Sequence, residues 1–441
     1  MLRCPWKVGK AFQTKQVNRP YCRDQEGIIP IFSENNQLVW KLSMSKTVFL
    51  TGGTGFLGGH LGREFLARGW HVLYLARAKR TVSAKDRVLT VLEAIDPKWR
   101  ELPGTFELVE GDITLPNLGV DDAVWGEKLR SVDELWHSAA VLFFSEDQRE
   151  VTEKINHQGT LNVLDFVKRY GIKRLQHIST AYVSGLANHV VKEEVAKCDW
   201  EFRNPYEETK YEGEQAVKKF ADENGVKTTI YRPAVIIGDT VNGKCLSFTG
   251  FYNIAKVFAL MKRLVVRKIN GDAEFYKKHD LYTNGNYVNY PFRFPCPSDT
   301  TVNLIPVDCV VSNIMNLCER PESVGQVYHL THPNPPKIRE LLVKGCKWIE
   351  MGGVEFVDCT FEQSEQILRE EVKKFAALGI NISFCLEISE YLRYLFGEPV
   401  FDVSKIRAAL KEKYFEAPVI DEAFLRKILD FGAGCQWHGV V

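Results

Sequence analysis

From Lys46 to about residue 240, short apolar runs alternate with longer stretches in which apolar residues recur every three or four positions. The short runs predict strands at 47–51, 71–76, 106–110, 134–139, 174–179 and 228–232. The stretches 56–68, 83–95, 147–170 and 205–223 carry the spacing that places apolar side chains on one face of a helix. Strands separated by helices predict an α/β fold, a Rossmann-type doubly wound parallel sheet over residues 46–240. A later run within 326–333, Val327 to Leu330, predicts a strand that rejoins the sheet edge. Residues 241–325 and 334–441 are then expected to form a smaller, mostly helical C-terminal substrate cap. In it, 250–270 reads as a strongly apolar helix with a basic end. Its first reading is a core helix; its second is a lid over a greasy substrate or a peripheral membrane contact. Residues 274–300, rich in Tyr, Asn and Pro, read as a long loop.

The N-terminal extension, 1–45, lacks this patterning. Residues 1–43 mix Lys and Arg with Pro, Asn and Gln. They are expected to be a loosely ordered arm, with Met44 as an alternative start. Acidic residues and the lack of an apolar core argue against a targeting peptide.

Composition narrows the class. Hydrophobic residues make up 45% of 441, enough for a substantial core. A formal charge of +1 gives no basic balance for nucleic acid. The 11 cysteines form no Cys-x-x-Cys pair and no metal-type spacing with His, so no metal is expected, and reduced thiols in a cytoplasm are. No apolar run is long enough for a transmembrane span.

The chemistry begins at Thr51-Gly52-Gly53-Thr54-Gly55-Phe56-Leu57-Gly58, between the first strand and the first helix. Glycines allow a tight turn and close approach of a pyrophosphate, which the helix N-terminus then holds. Gly52, Thr54, Gly55, Phe56, Leu57 and Gly58 are therefore expected to bind a dinucleotide. About twenty residues on, the second strand ends in Arg77, with Lys79, Arg80 and Arg87 nearby. A basic residue there suits the 2′-phosphate of NADP, so NADPH is expected in preference to NADH. Asp112 and Ile113, after the third strand, are placed at the adenine, although a turn-capping Asp is nearly as good a reading. Ala139, at the end of the fourth strand, is small enough for the backbone to sit against the cofactor.

Tyr206 and Lys210 lie four residues apart, on one face of a helix. An ammonium beside a phenol is expected to bring its pKa toward working pH, and Lys210 to hold the nicotinamide ribose. At the end of the fifth strand, Thr180, with Ser179 second, is expected to hydrogen-bond a substrate carbonyl. Asn156 is expected to position a proton-relay water, and His177 and Tyr182 to be packing residues.

With the glycine loop, Thr180, Tyr206-x-x-x-Lys210 and Arg232-Pro233, the chain resembles an extended short-chain dehydrogenase/reductase. More narrowly, it resembles the thioester-reductase and fatty acyl-CoA reductase, or male-sterility-type, branch. That match rests on Gly55-Phe56-Leu57-Gly58-Gly59-His60-Leu61, Leu75-Ala76-Arg77 with Arg87, His137-Ser138-Ala139-Ala140, the segment Ile178 to Gly185, and Asn303-Leu304-Ile305-Pro306-Val307-Asp308. It covers about residues 46–335. The resemblance implies catalytic Thr180, Tyr206 and Lys210, NADPH, and an acyl thioester on coenzyme A or a carrier protein, reduced to aldehyde or alcohol. The cap from about 334 departs from the C-terminal domain of eukaryotic fatty acyl-CoA reductases. A ketone or quinolone-type carbonyl of a lipophilic secondary metabolite, as in aurachin-type tailoring enzymes, is the alternative substrate. A nucleotide-sensing regulator and a nucleotide-sugar epimerase are weaker readings. The retained Tyr and Lys argue against the first; Arg77 and the apolar 250–270 stretch argue against the second.

Overall fold

The computed structural model describes residues 46–195 and 198–440, and the backbone alone at 28–32, 38–42 and 387–390. Met44 and most of 1–43 lie outside the described residues. In the N-terminal unit, Ile28–Phe32 and Leu38–Leu42 pair as an antiparallel ribbon, regular structure that the sequence pattern did not announce.

In the second unit, Lys46–Val441, the chain alternates as its pattern predicts. The elements are β1 (Thr47–Thr51), α1 (Phe56–Ala67), β2 (His71–Ala76), α2 (Ala84–Ile95), β3 (Thr105–Glu110), α3 (Asp122–Arg130) and β4 (Glu134–His137). They continue with α4 (Gly159–Tyr170), β5 (Arg174–Ile178), α5 (Pro205–Asn224) and β6 (Lys227–Pro233). Then come β7 (Val235–Ile237), α6 (Phe251–Ile269), β8 (Leu304–Pro306), α7 (Val307–Cys318) and β9 (Val327–Leu330). The cap adds α8 (Ile338–Trp348), α9 (Phe361–Ala377) and α10 (Glu422–Gly434).

Seven parallel strands form one sheet in the order β9-β6-β5-β4-β1-β2-β3. The order reverses between β1 and β4, and at such a switch point a doubly wound sheet opens a crevice outside the strand ends. The inner strands such as β2 and β4 are buried on both faces, which is why β2 reads as a nearly unbroken apolar run and not as an alternation. One face packs under α1, α2 and α7 through Leu61, Phe65, Val88 and Ile314. The other packs under α3 and α4 through Leu129, Val163, Phe166 and Val167. A third core builds the cap from α6, α8, α9 and α10.

Three segments differ from their expectation. Residues 304–318, placed in the cap by sequence, pack with the dinucleotide-type core instead: β8 pairs with β7 in a separate two-stranded sheet, and α7 packs on α1. Residues 274–300 are not a loop. They hold a short helix, Ala273–Lys277, a hairpin pairing Tyr282–Asn284 with Tyr287–Asn289, and a strand, Arg293–Pro295. The turn signal was Gly285-Asn286, with Gly285 at φ 60°. The 147–170 stretch is helical but not uniform, since a wide π turn, Glu153–Gln158, interrupts it. Among the described residues, no helix is long and apolar enough to cross a membrane.

Candidate active site

The glycine loop is shaped by its own close contacts. Gly52 has φ +75°, and a Cβ there would lie 2.6 Å from the Ala139 nitrogen at the end of β4. A Cβ on Gly58 would lie 2.2 Å from the Gly52 oxygen. Side chains at either position would push loop, helix and β4 apart. α1 starts at Gly55 with no side-chain cap and no acidic residue in its first turn. Its first N–H groups and its dipole are thus left for an anionic ligand.

The loop opens into a cavity of about 550 Å³ over the strand ends. Every expected cofactor residue lines it: Gly52, Thr54, Gly55, Phe56, Leu57, Gly58, Arg77, Arg87, Asp112, Ile113, Ala139, Tyr206 and Lys210. So do Ser179 and Thr180. Lys79 is on the wall as well, whereas Arg80 is not.

At the β2 end, Arg87 donates to the Arg77 carbonyl at 2.7 Å and to Thr54 Oγ1 at 3.0 Å. It therefore staples the glycine loop to the neighbouring strand end. Burial and the nearby Arg77 charge lower its pKa. Arg77 pairs with Asp112 at 2.5 Å. The other Asp112 oxygen accepts from the Thr114 N–H and hydroxyl, both at 3.0 Å. Burial pushes the Asp112 carboxyl up, but the Thr114 and Arg77 hydrogen bonds outweigh it and hold the group below the usual range. The turn-capping reading of Asp112 is thus present in the structure, beside its place on the cavity wall.

α5 delivers Tyr206 and Lys210. Asn204 caps it by accepting from the Glu207 N–H at 3.1 Å, Pro205 fills the first helical position, and Gly225 ends it in the left-handed region. Lys210 is buried and donates to the Ile178 carbonyl at 2.8 Å, tying α5 to the end of β5. Thr180 lies close enough to Tyr206 to act on its phenol. The Thr180 hydroxyl makes long contacts, donating to the Pro233 carbonyl at 3.4 Å and accepting from the Tyr182 N–H at 3.3 Å. Ser179 Oγ is buried without a partner.

The expected lowering of the Tyr206 pKa toward working pH is not what burial gives. Burial pushes the Tyr206 phenol up to about 12; the Thr180 hydroxyl opposes this and the Glu207 charge adds to it. Burial lowers Lys210 to about 8, with Glu214 opposing. Desolvation is the largest cause at both groups.

Asn156 lies behind the cavity wall, in the π turn. Its Oδ1 accepts from the Val141 N–H at 2.8 Å; its Nδ2 donates to the Val141 carbonyl at 3.0 Å and to Thr209 at 3.3 Å. The amide clamps the backbone after β4 and links it to α5. His177 is fully buried beside His137, 5.4 Å between rings, and burial holds it neutral. Tyr182, expected only to pack, lines the cavity and donates to Glu398 at 3.0 Å.

Sequence reasoning missed the far wall, which comes from Phe144, Val302, Ile338, Tyr391, Tyr394 and Leu395. Phe144 packs on Tyr206 at 5.7 Å, Tyr391 at 5.2 Å and Tyr394 at 5.5 Å. The spacing of Tyr391, Tyr394 and Leu395 on one helical face was the available signal.

A family model described as male sterility protein, an NAD-binding domain, matches residues 50–314. The chain belongs to this family. It is an NAD(P)-dependent oxidoreductase family of the extended short-chain dehydrogenase/reductase type. The nonribosomal peptide synthetase asaC of Aspergillus flavus is 25% identical over 320 residues, 70% of this chain and 28% of that protein. The carboxylic acid reductase of Mycobacterium tuberculosis is 27% identical over 293 residues, 62% of this chain and 24% of that protein. The chain thus spans less than a third of the length of these relatives. The terminal R domain from the myxalamid PKS-NRPS biosynthetic pathway shares the fold, with a TM-score of 0.69 at 22% identity over 89% of this chain and 92% of that one. Among the described residues, no cluster of His, Cys, Asp and Glu could hold a metal.

Proposed function

We propose that the protein is an NADPH-dependent reductase of an acyl thioester carried by coenzyme A or a carrier protein. One observation carries the reading. A single cavity joins the glycine loop and Arg77, the trio Thr180, Tyr206 and Lys210, and the apolar wall of Phe251, Ile254, Val302 and Ile338. Arg77 and Thr180 end strands three spacings apart in the sheet, roughly 14 Å, a span suited to an extended dinucleotide. The uncapped α1 N-terminus suits its pyrophosphate. Arg77, Lys79 and Arg87 gather positive charge against one carboxylate, Asp112, which suits a 2′-phosphate.

A bound nicotinamide would supply hydride to the carbonyl carbon. The chain's own work is orientation and charge. Thr180, whose present hydrogen bonds are long, donates to the carbonyl oxygen. Tyr206, kept protonated by burial, gives that oxygen its proton. Lys210, anchored at Ile178, orients the ribose and Tyr206. The resulting hemithioacetal collapses to aldehyde and thiol; a second round gives the alcohol. The carboxylic acid reductase and synthetase names of the relatives support a thioester.

A second reading is favoured by Phe144, Tyr391 and Tyr394, which put three aromatic side chains on the wall of the cavity, a lining that would suit a flat ketone or quinolone-type substrate. Purified protein with NADPH and a mixed panel of acyl-CoA, acyl-carrier and lipophilic ketone substrates, analysed by mass spectrometry, separates the two. Aldehyde or alcohol from the thioesters supports the first; reduction of the ketones alone replaces it with the second. Equal kcat/KM for NADH and NADPH overturns the cofactor preference.

A further inference from the structure

Beyond the main cavity lies a second, apolar cavity of about 30 Å³, and the two share Phe251 and Ile254. The same two helices line both. On α6, Phe251 and Ile254 face the main cavity, and Phe258, one turn on, lines the second. On α8, Ile338 faces the main cavity and Leu342, one turn on, lines the second. The small cavity is thus the continuation of one interhelical seam, and the Phe251–Ile254 turn closes the seam.

Nothing in the second cavity calls for water. Its wall includes Phe258, Leu342, Cys346, Trp348 and Leu429. The Trp348 N–H, the strongest donor among these, is already taken by Asp430 at 2.7 Å. An apolar space of this size stays dry and takes hydrocarbon alone. At about 30 Å³ it has room for little more than one methylene.

We infer that the Phe251–Ile254 turn of α6 is the length gauge of the substrate site: the alkyl end of an acyl substrate runs toward α6 and α8 and stops against Ile254. This rests on the reading that the cavity holds an acyl chain, and it names the residues that set which chain fits. A chain one carbon too long must displace close-packed side chains, whereas a shorter one leaves apolar wall unfilled. Truncating Ile254 joins the two cavities and lengthens the acceptable chain.

The test uses the full-length protein with NADPH and two straight-chain series of graded length. One is acyl-CoA thioesters, read as kcat/KM; the other is non-reducible alkyl amides, read as Kd by calorimetry. In the wild type, affinity for the amides should rise with each carbon and then drop at a cut-off. In Ile254→Ala the cut-off should move about two carbons longer, with about tenfold tighter binding of the first chain that the wild type rejects. Ile254→Val, a milder change, should move the cut-off in the same direction and covers failure of the alanine variant to fold. Cys346→Ala, behind the gauge, should leave the cut-off in place. An unchanged cut-off in both Ile254 variants, or a wild type without one, overturns the inference. Amides that bind with the shifted cut-off while no thioester is reduced leave the gauge standing and remove the thioester reading instead.

Discussion

Tyr206 and Lys210 occupy the positions that their spacing predicts, yet burial moves their proton affinities in a direction that spacing alone did not suggest. With the phenol pushed up to about 12, Tyr206 is protonated near neutrality, which suits the proposed role of acid and not that of a preformed phenolate. Tyr206→Phe should therefore lower kcat by about 10²–10⁴ while leaving the Kd for NADPH nearly unchanged, as stopped-flow turnover and fluorescence titration would show. Near-normal turnover removes Tyr206 from the role of acid. Lys210 is charged below about 8 and loses its proton above it. The kcat/KM for NADPH, which reports groups of the free enzyme, should be level near neutrality and fall as pH rises through about 8. Lys210→Arg, charged throughout that range, should shift the falling limb to higher pH; a profile identical to the wild type would assign the limb to another group.

At the scale of elements, the start of α5 is held by a buried ion pair. Arg203 and Glu207 approach to 3.2 Å with side chains 1% and 0% exposed. Arg203 also donates to the Gly185 carbonyl at 2.6 Å and the Gly397 carbonyl at 2.9 Å. The pair thus joins α5, the segment after β5 and the C-terminal stretch that carries Tyr394. Arg203→Met leaves Glu207 buried without its partner and should cost about 3–5 kcal/mol, read from urea unfolding. Replacing both residues with apolar ones should recover much of that loss, because no lone charge then remains buried; a double variant as unstable as the single one would refute this account. The π turn before α4 has a similar joining role. It turns Asn156 inward onto Val141, and a regular helix pattern such as 147–170 gives no sign of it, because the extra residue per turn depends on what lies opposite.

For the whole molecule, the cofactor is expected to join loop, sheet and cap, so its binding should be visible in global stability. NADPH at a hundred times its Kd should add about 2.7 kcal/mol, and NADH at the same concentration distinctly less, measured as the rise in unfolding temperature. Arg77→Ser should erase most of the difference between the two, because Arg77 can reach a 2′-phosphate without bracing the glycine loop. Arg87 braces that loop through Thr54, so its loss should weaken both cofactors alike. Equal stabilisation of the wild type by both cofactors would remove the phosphate role. Local pattern alone was enough for the seven-stranded sheet, the glycine loop and the Tyr206–Lys210 face, because strand runs, turn glycines and helical spacing act over a few residues. Three things needed the folded chain. Residues 304–318 pack against α1 and pair with β7 instead of joining the cap, and that pairing depends on a partner about seventy residues away. Burial, not sequence neighbours, sets the proton affinities of Tyr206 and Lys210. The far wall of the site gathers Phe144, Val302, Ile338 and Tyr394 from four separate segments, so the shape that meets a substrate exists only once the chain has folded over it.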